Sequence, residues 1–128
     1  MKNLPENAPS SITDVVIVAH KNASEKGFWE YYDKALESLE KDDLESFDTM
    51  EATRIAFVCQ KLLLINSEVV EAMEALRKGD IEEFPYELAD IIIRTCDLAG
   101  KMNINLEHIV KEKTRINRNR SKRHGNNF

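Results

Sequence analysis

Apolar residues recur along this chain at helical spacings and seldom at the strict alternation of a half-buried strand. Ile12, Val15, Val16, Ala19 and Ala23 form a first stripe, with Ser10 and Ser11 before it and Gly27 after it. A hydroxyl at either serine can accept from an otherwise unpaired amide, and glycine suits a helix end, so a helix is predicted over 12–26. Phe28, Trp29, Tyr31, Tyr32, Ala35, Leu36 and Leu39 carry a mixed pattern that predicts a second, shorter helix. The most regular stripe is Ile55, Cys59, Leu62, Asn66, Val69, Met73 and Leu76, in alternating steps of four and three. It predicts a long helix over 49–78. Gly79 ends it, and Asp80 can cap the next helix, over 82–101, which carries Leu88, Ile91, Ile92, Thr95, Leu98, Ala99 and Met102 and tolerates Pro85 near its start. Asn105 then opens a last helix bearing Leu106, Ile109, Val110 and Ile116.

Composition agrees with this pattern. The 128 residues are 42% hydrophobic and 32% charged with only 4 Gly and 3 Pro, which suits helices and leaves little for the tight turns of a β-rich fold. The expectation is an all-α bundle of four or five helices in a single domain spanning 1–128, with a loose arm over 1–9 and a polar tail over 121–128. Residues 41–48 are acidic and weakly apolar, and are expected to be a solvated connection or a frayed helix start. Cys59 and Cys96 lack any partner at C-x-x-C spacing and are expected to be small core residues in a reducing compartment. No segment resembles a signal peptide, and apolar runs such as 62–65 are short, so a soluble, cytoplasmic protein is expected.

The net charge of −5 hides two opposite regions, an acidic one over 30–51 and a basic one over 111–123. The acidic total disfavours broad affinity for nucleic acid, whereas a local basic cluster beside a metal suits a phosphorylated small molecule.

Two acidic pairs stand apart. Glu68 and Glu71 lie in LLLINSEVVEAM, and Glu87 and Asp90 in YELADIII. Each pair is three residues apart and so shares a helix face. With 23 acidic residues in the chain, that spacing alone is a weak signal. The apolar surroundings are the stronger one, because carboxylates partly desolvated on folding repel one another unless paired or metal-bound. The plainer alternative is a solvated face salt-bridged to Arg94 or Lys61. If the two helices run antiparallel about Gly79 and Asp80, both pairs converge on one cleft, and four hard oxygen ligands suit Mg²⁺, with Mn²⁺ as a second choice. Such ions favour hydrolysis of a phosphoanhydride. A ferritin-like redox site needs Glu-x-x-His on two helices, and no histidine here has a glutamate three residues before it. There is no G-x-x-x-x-G-K-[ST] loop.

The order Glu68-Val-Val-Glu71, then Glu87-Leu-Ala-Asp90, resembles the MazG-like all-α nucleoside triphosphate pyrophosphohydrolases, whose mark is E-x-x-E on one helix and E-x-x-D on the next. DIIIRTCDLAG, KGFWE, Lys113 to Arg120 and the closing Arg123-His124-Gly125 are similar to further segments of that family. The resemblance implies cleavage of a nucleoside triphosphate between its α and β phosphates, giving the monophosphate and pyrophosphate, with Mg²⁺ held by Glu68, Glu71, Glu87 and Asp90. It implies phosphate contacts from Lys113, Asn117 and Arg120, with Lys61 and Arg94 as secondary candidates, and a homodimer or dimer of dimers with helices of two chains framing each site. Two positions depart from the family pattern: Ser67 stands where many members carry a further glutamate, and Asn126 where related tails read lysine.

Trp29 and Phe28 can stack on a base, although aromatic residues are more often core or interface anchors. Asn66 either lines a pocket or pairs across a subunit interface. The basic stretch over 111–123 admits an alternative, a nucleic-acid arm, and the long periodic helix admits another, a non-catalytic oligomeric module. The basic stretch lacks interleaved aromatics, which weighs against nucleic acid.

Overall fold

The computed structural model describes residues 7–41 and 47–120. Among them are five helices and no strand: α1 (Ile12–Glu25), α2 (Glu30–Lys41), α3 (Phe47–Lys78), α4 (Phe84–Lys101) and α5 (Leu106–Arg118). The all-α expectation holds. Most of the expected N-terminal arm, the centre of the acidic connection and the tail over 121–128, with His124 and Gly125, lie outside the described residues.

Helix boundaries reflect the local chemistry. Ser11 Oγ accepts from the amide of Asp14 at 3.1 Å and starts α1, and Asn105 Oδ1 accepts from the amide of His108 at 3.2 Å and starts α5. Asp80 caps as expected, its Oδ1 accepting from the amide of Glu83 at 3.0 Å, but one turn ahead of α4, which begins at Phe84 with Pro85 in its first turn. α3 begins at Phe47 and so takes in residues expected to belong to the acidic connection.

α3 and α4 form an antiparallel hairpin about Gly79, whose φ of +74° is a left-handed conformation costly for any residue with a Cβ. α4 is the central element, packed on α3 at one side and on α1 at the other. The α1–α4 approach is close because Gly100 lacks a side chain: a Cβ there would stand 2.6 Å from the Cβ of His20. Ala19 and Ala23 from α1 and Ala99 from α4 are buried, as are Ala72 and Ala75 from α3. α2 joins α3 through edge-to-face rings, Trp29 to Tyr32 at 5.4 Å and Tyr32 to Phe57 at 5.5 Å between centroids. α5 rests on α1, where Thr13 Oγ1 donates to Glu107 Oε2 at 3.1 Å.

Two consequences of this packing could not be read from periodicity. The four-and-three stripe of α3 faces outward, with Ile55, Leu62, Val69, Met73 and Leu76 all exposed, while the same helix buries Glu68, Ala72 and Ala75. Cys59 belongs to that outward stripe and is exposed, which corrects its expected place in the core; Cys96 is buried as expected. Among the described residues no helix is long and apolar enough to cross a membrane.

Candidate functional site

The antiparallel hairpin brings three of the four carboxylates of the two acidic pairs together. Glu68 and Glu71 from α3 and Glu87 from α4 each offer a carboxylate oxygen, and these oxygens lie within 4.8 Å of one another. Glu68 and Glu87 are buried while Glu71 is exposed, so the cluster opens to solvent on one side. Glu87 Oε2 is buried without a hydrogen-bond partner and is the only such side-chain atom among the described residues. Loss of solvent pushes the Glu87 carboxyl above the ordinary carboxylate range, and the nearby carboxylates of Glu71, Glu83, Glu68 and Asp90 push it in the same direction. Glu83, one turn before Glu87 on the same face, is a charge that the motif order does not single out.

Asp90 lies outside the close trio. Exposed and three residues beyond Glu87, it lines a cavity of about 390 Å³ together with Glu68, Asn22, Lys26, Phe28, Arg94 and Asp97. Arg94 Nε donates to Glu68 Oε1, so one secondary phosphate candidate is in part a partner of a carboxylate. The salt bridge to Arg94 offered by the plainer alternative is therefore present, but its glutamate is buried, not on a solvated face.

Lys61 Nζ donates to the backbone carbonyl of Phe28 at 2.8 Å and stands 4.6 Å from the centre of the Trp29 ring. Partial burial lowers its ammonium below the ordinary lysine value, an effect that Asp97 opposes and Arg94 reinforces. Trp29 is placed differently from a base-stacking residue. At 2% exposure it is core, its ring packed against Tyr32 and its Nε1 donating to Asp97 Oδ1 at 2.8 Å. The reason is its position at the α1–α2 corner, where the largest side chain fills the gap between helices; the open aromatic is the preceding residue, Phe28, at 59% exposure.

Lys113 and Asn117 are exposed on α5, and Arg120 lies just past its end. None of the three lines the cavity shared by Glu68 and Asp90, because α5 packs chiefly on α1. Asp97 was missed at the sequence level. Its signal was available: Asp90, Arg94 and Asp97 are spaced by four and three and share one face of α4.

A family model described as phosphoribosyl-ATP pyrophosphohydrolase matches residues 30–117, more than half the chain and including both acidic pairs. The chain belongs to this family. Membership in the phosphoribosyl-ATP pyrophosphohydrolase family indicates pyrophosphohydrolase-type activity on nucleotides, and the family is related to the MazG-like superfamily that the motif order resembles. The match takes in Lys113 and Asn117 and leaves out α1, Phe28, Trp29 and Arg120. No curated protein and no solved structure matches the chain.

Proposed function

We propose that this chain is a Mg²⁺-dependent pyrophosphohydrolase that cleaves a nucleoside triphosphate, ribo or deoxy, between its α and β phosphates. The observation that carries the reading is Glu87 Oε2, a buried carboxylate oxygen without a hydrogen-bond partner beside Glu68 and Glu71. A buried carboxylate oxygen without a partner is costly, and three hard oxygens within 4.8 Å of one another suit a small divalent cation. The donor set therefore fits Mg²⁺, with Mn²⁺ as an alternative. Glu68, Glu71 and Glu87 would hold it, with Asp90 as the fourth ligand from the cavity wall. When bound, the ion neutralises charge developing on the phosphates and lowers the pKa of a coordinated water.

The chain's own groups have assignable parts. Arg94 fixes Glu68 across the hairpin, so the buried ligand is oriented before substrate arrives. Glu71 or Asp90, the exposed carboxylates, would accept a proton from the attacking water, whose oxygen bonds to the α phosphorus as the bond to the bridging oxygen breaks and pyrophosphate leaves. Lys26 lines the same cavity as Asp90 and forms no ion pair among the described residues, which makes it available to a phosphate.

The outward stripe of α3 supports self-association into a homodimer or homotetramer. Leu62, Val69, Met73 and Leu76 are exposed apolar side chains along one stripe of α3, a face that a second copy would cover. In such an assembly Lys113, Asn117 and Arg120, remote from the carboxylates of their own chain, would serve the site of another copy.

The family's name puts phosphoribosyl-ATP beside the ordinary nucleotides as a substrate to be tried. The decisive assay offers NTPs, dNTPs and phosphoribosyl-ATP with Mg²⁺ and scores pyrophosphate against orthophosphate. Release of pyrophosphate, abolished in Glu68→Ala and Asp90→Ala with helicity retained, is expected. Orthophosphate as the product, or full activity in both variants, contradicts the reading.

A further inference from the structure

We propose that the space between Phe28 and Asp97 is the nucleobase subsite, with Phe28 as the stacking face and the outer carboxylate oxygen of Asp97 as acceptor for an N–H on the base edge. This inference rests on the nucleotide reading above and goes beyond it.

Two cavities adjoin here. One, of about 390 Å³, contains Glu68 and Asp90. The other, of about 280 Å³, is bounded by Lys61 and Leu64. Phe28, Arg94 and Asp97 line both, so the two form one groove that begins at the carboxylates and runs along α4. Asp90 and Asp97 are seven residues apart, about 10.5 Å along the axis at 1.5 Å per residue. That interval leaves room for a ribose between a phosphate end and a base end.

The walls of the far end suit a base. Phe28 is an exposed aromatic whose backbone is held by the Lys61 hydrogen bond to its carbonyl, so an open ring is available for stacking at this end. Asp97 is held as firmly: its Oδ1 accepts from Trp29 Nε1 at 2.8 Å and meets His20 Nδ1 at 2.9 Å. Its Oδ2 has no hydrogen-bond partner among the described residues. Arg94 uses Nε on Glu68, and its two terminal nitrogens have no partner among the described residues. The groove thus presents a carboxylate acceptor and guanidinium donors side by side, the complement of a base edge that carries an N–H next to a carbonyl or ring nitrogen. An apolar occupant would leave both unpaired.

The test is a steady-state comparison of dATP, dCTP, dGTP and dTTP with Mg²⁺. Phe28→Ala should raise KM for every base, by about 5- to 150-fold from the stacking of one base on one ring, with the effect on KM and not on kcat, and Phe28→Tyr should restore it. Asp97→Asn keeps an oxygen for Trp29 and His20 and replaces the outer oxygen by an N–H donor. It should change the ratio of kcat/KM between bases about tenfold or more, the weight of one hydrogen bond to a charged group. Helicity by circular dichroism should be unchanged in both variants, showing that the fold is intact. An unaltered KM in Phe28→Ala, or a uniform loss across all four bases in Asp97→Asn, overturns the subsite. Failure of the nucleotide reading shows separately, as wild-type protein that releases no pyrophosphate from any nucleotide, and the subsite falls with it.

Discussion

Arg94 Nε donates a hydrogen bond to Glu68 Oε1, tying α4 to α3 at the carboxylate cluster. Glu68 is 6% exposed and sits beside Glu71 and Glu87, so Arg94 supplies positive charge where several negative groups converge. Arg94→Ala leaves that buried carboxylate unpaired, and a loss of about 1–3 kcal/mol is expected in the presence of EDTA. Added Mg²⁺ at a hundred times its Kd should return about 2.7 kcal/mol. Calorimetry with and without metal checks this; an unchanged melting temperature in EDTA would count against the pairing.

The pH dependence originates at Glu87. Its folded pKa is raised above the ordinary 4.5, so the folded chain holds a proton that the unfolded chain releases more readily. The stability associated with that proton is fully present below 4.5 and is lost as pH rises through the folded value. Metal-free wild type should therefore lose stability from pH 4.5 upward relative to Glu87→Gln, which cannot ionise. Melting both proteins in EDTA across that window tests it, and parallel curves would defeat it. With Mg²⁺ added near neutrality, only the wild type should be stabilised strongly.

At Gly100 the packing leaves no space. A Cβ would meet the Cβ of His20 at 2.6 Å, and neither atom belongs to a flexible side-chain end. Gly100→Ala should cost about 1–3 kcal/mol by forcing α1 and α4 apart, against the gain in helix propensity that the same change brings on an open face. Denaturant unfolding gives the sign at once. A stabilised variant would show that the seam opens easily.

The outward stripe of α3 gives a prediction about assembly. Met73→Glu places a charge on the exposed apolar face and should convert the proposed oligomer to monomer, with helicity retained. Cys59, on the same stripe, should then be alkylated faster, while Cys96 stays inert because burial raises its thiol above the ordinary range. Light scattering and timed alkylation report the two effects separately. Equal masses for wild type and Met73→Glu would remove this face from the interface.

Much of the architecture was legible in order along the chain. Ser11, Gly79 and Asn105 marked helix ends because capping is a local matter of orphan amides and left-handed backbone. Glu68, Glu71, Glu87 and Asp90 were recognisable because carboxylates in apolar segments are anomalous wherever the chain later folds. Other assignments misled for an equally physical reason. Periodicity shows that residues share a face without showing what the face meets, so the regular α3 stripe and Cys59 point outward while alanines of α1, α3 and α4 are buried. Likewise, the type of an aromatic residue does not say whether it is open, and Trp29 is core where Phe28 is exposed.

The sequence by itself determined an all-α chain with two acidic pairs on consecutive helices, since helix periodicity, caps and i,i+3 spacing are properties of neighbouring residues. The tertiary structure alone decided that Glu87 joins Glu68 and Glu71 while Asp90 stands apart on the cavity wall, and that Asp97 binds Trp29 and His20. Those relationships depend on the register of one helix against another, which side-chain volumes across the seam set and no local pattern encodes.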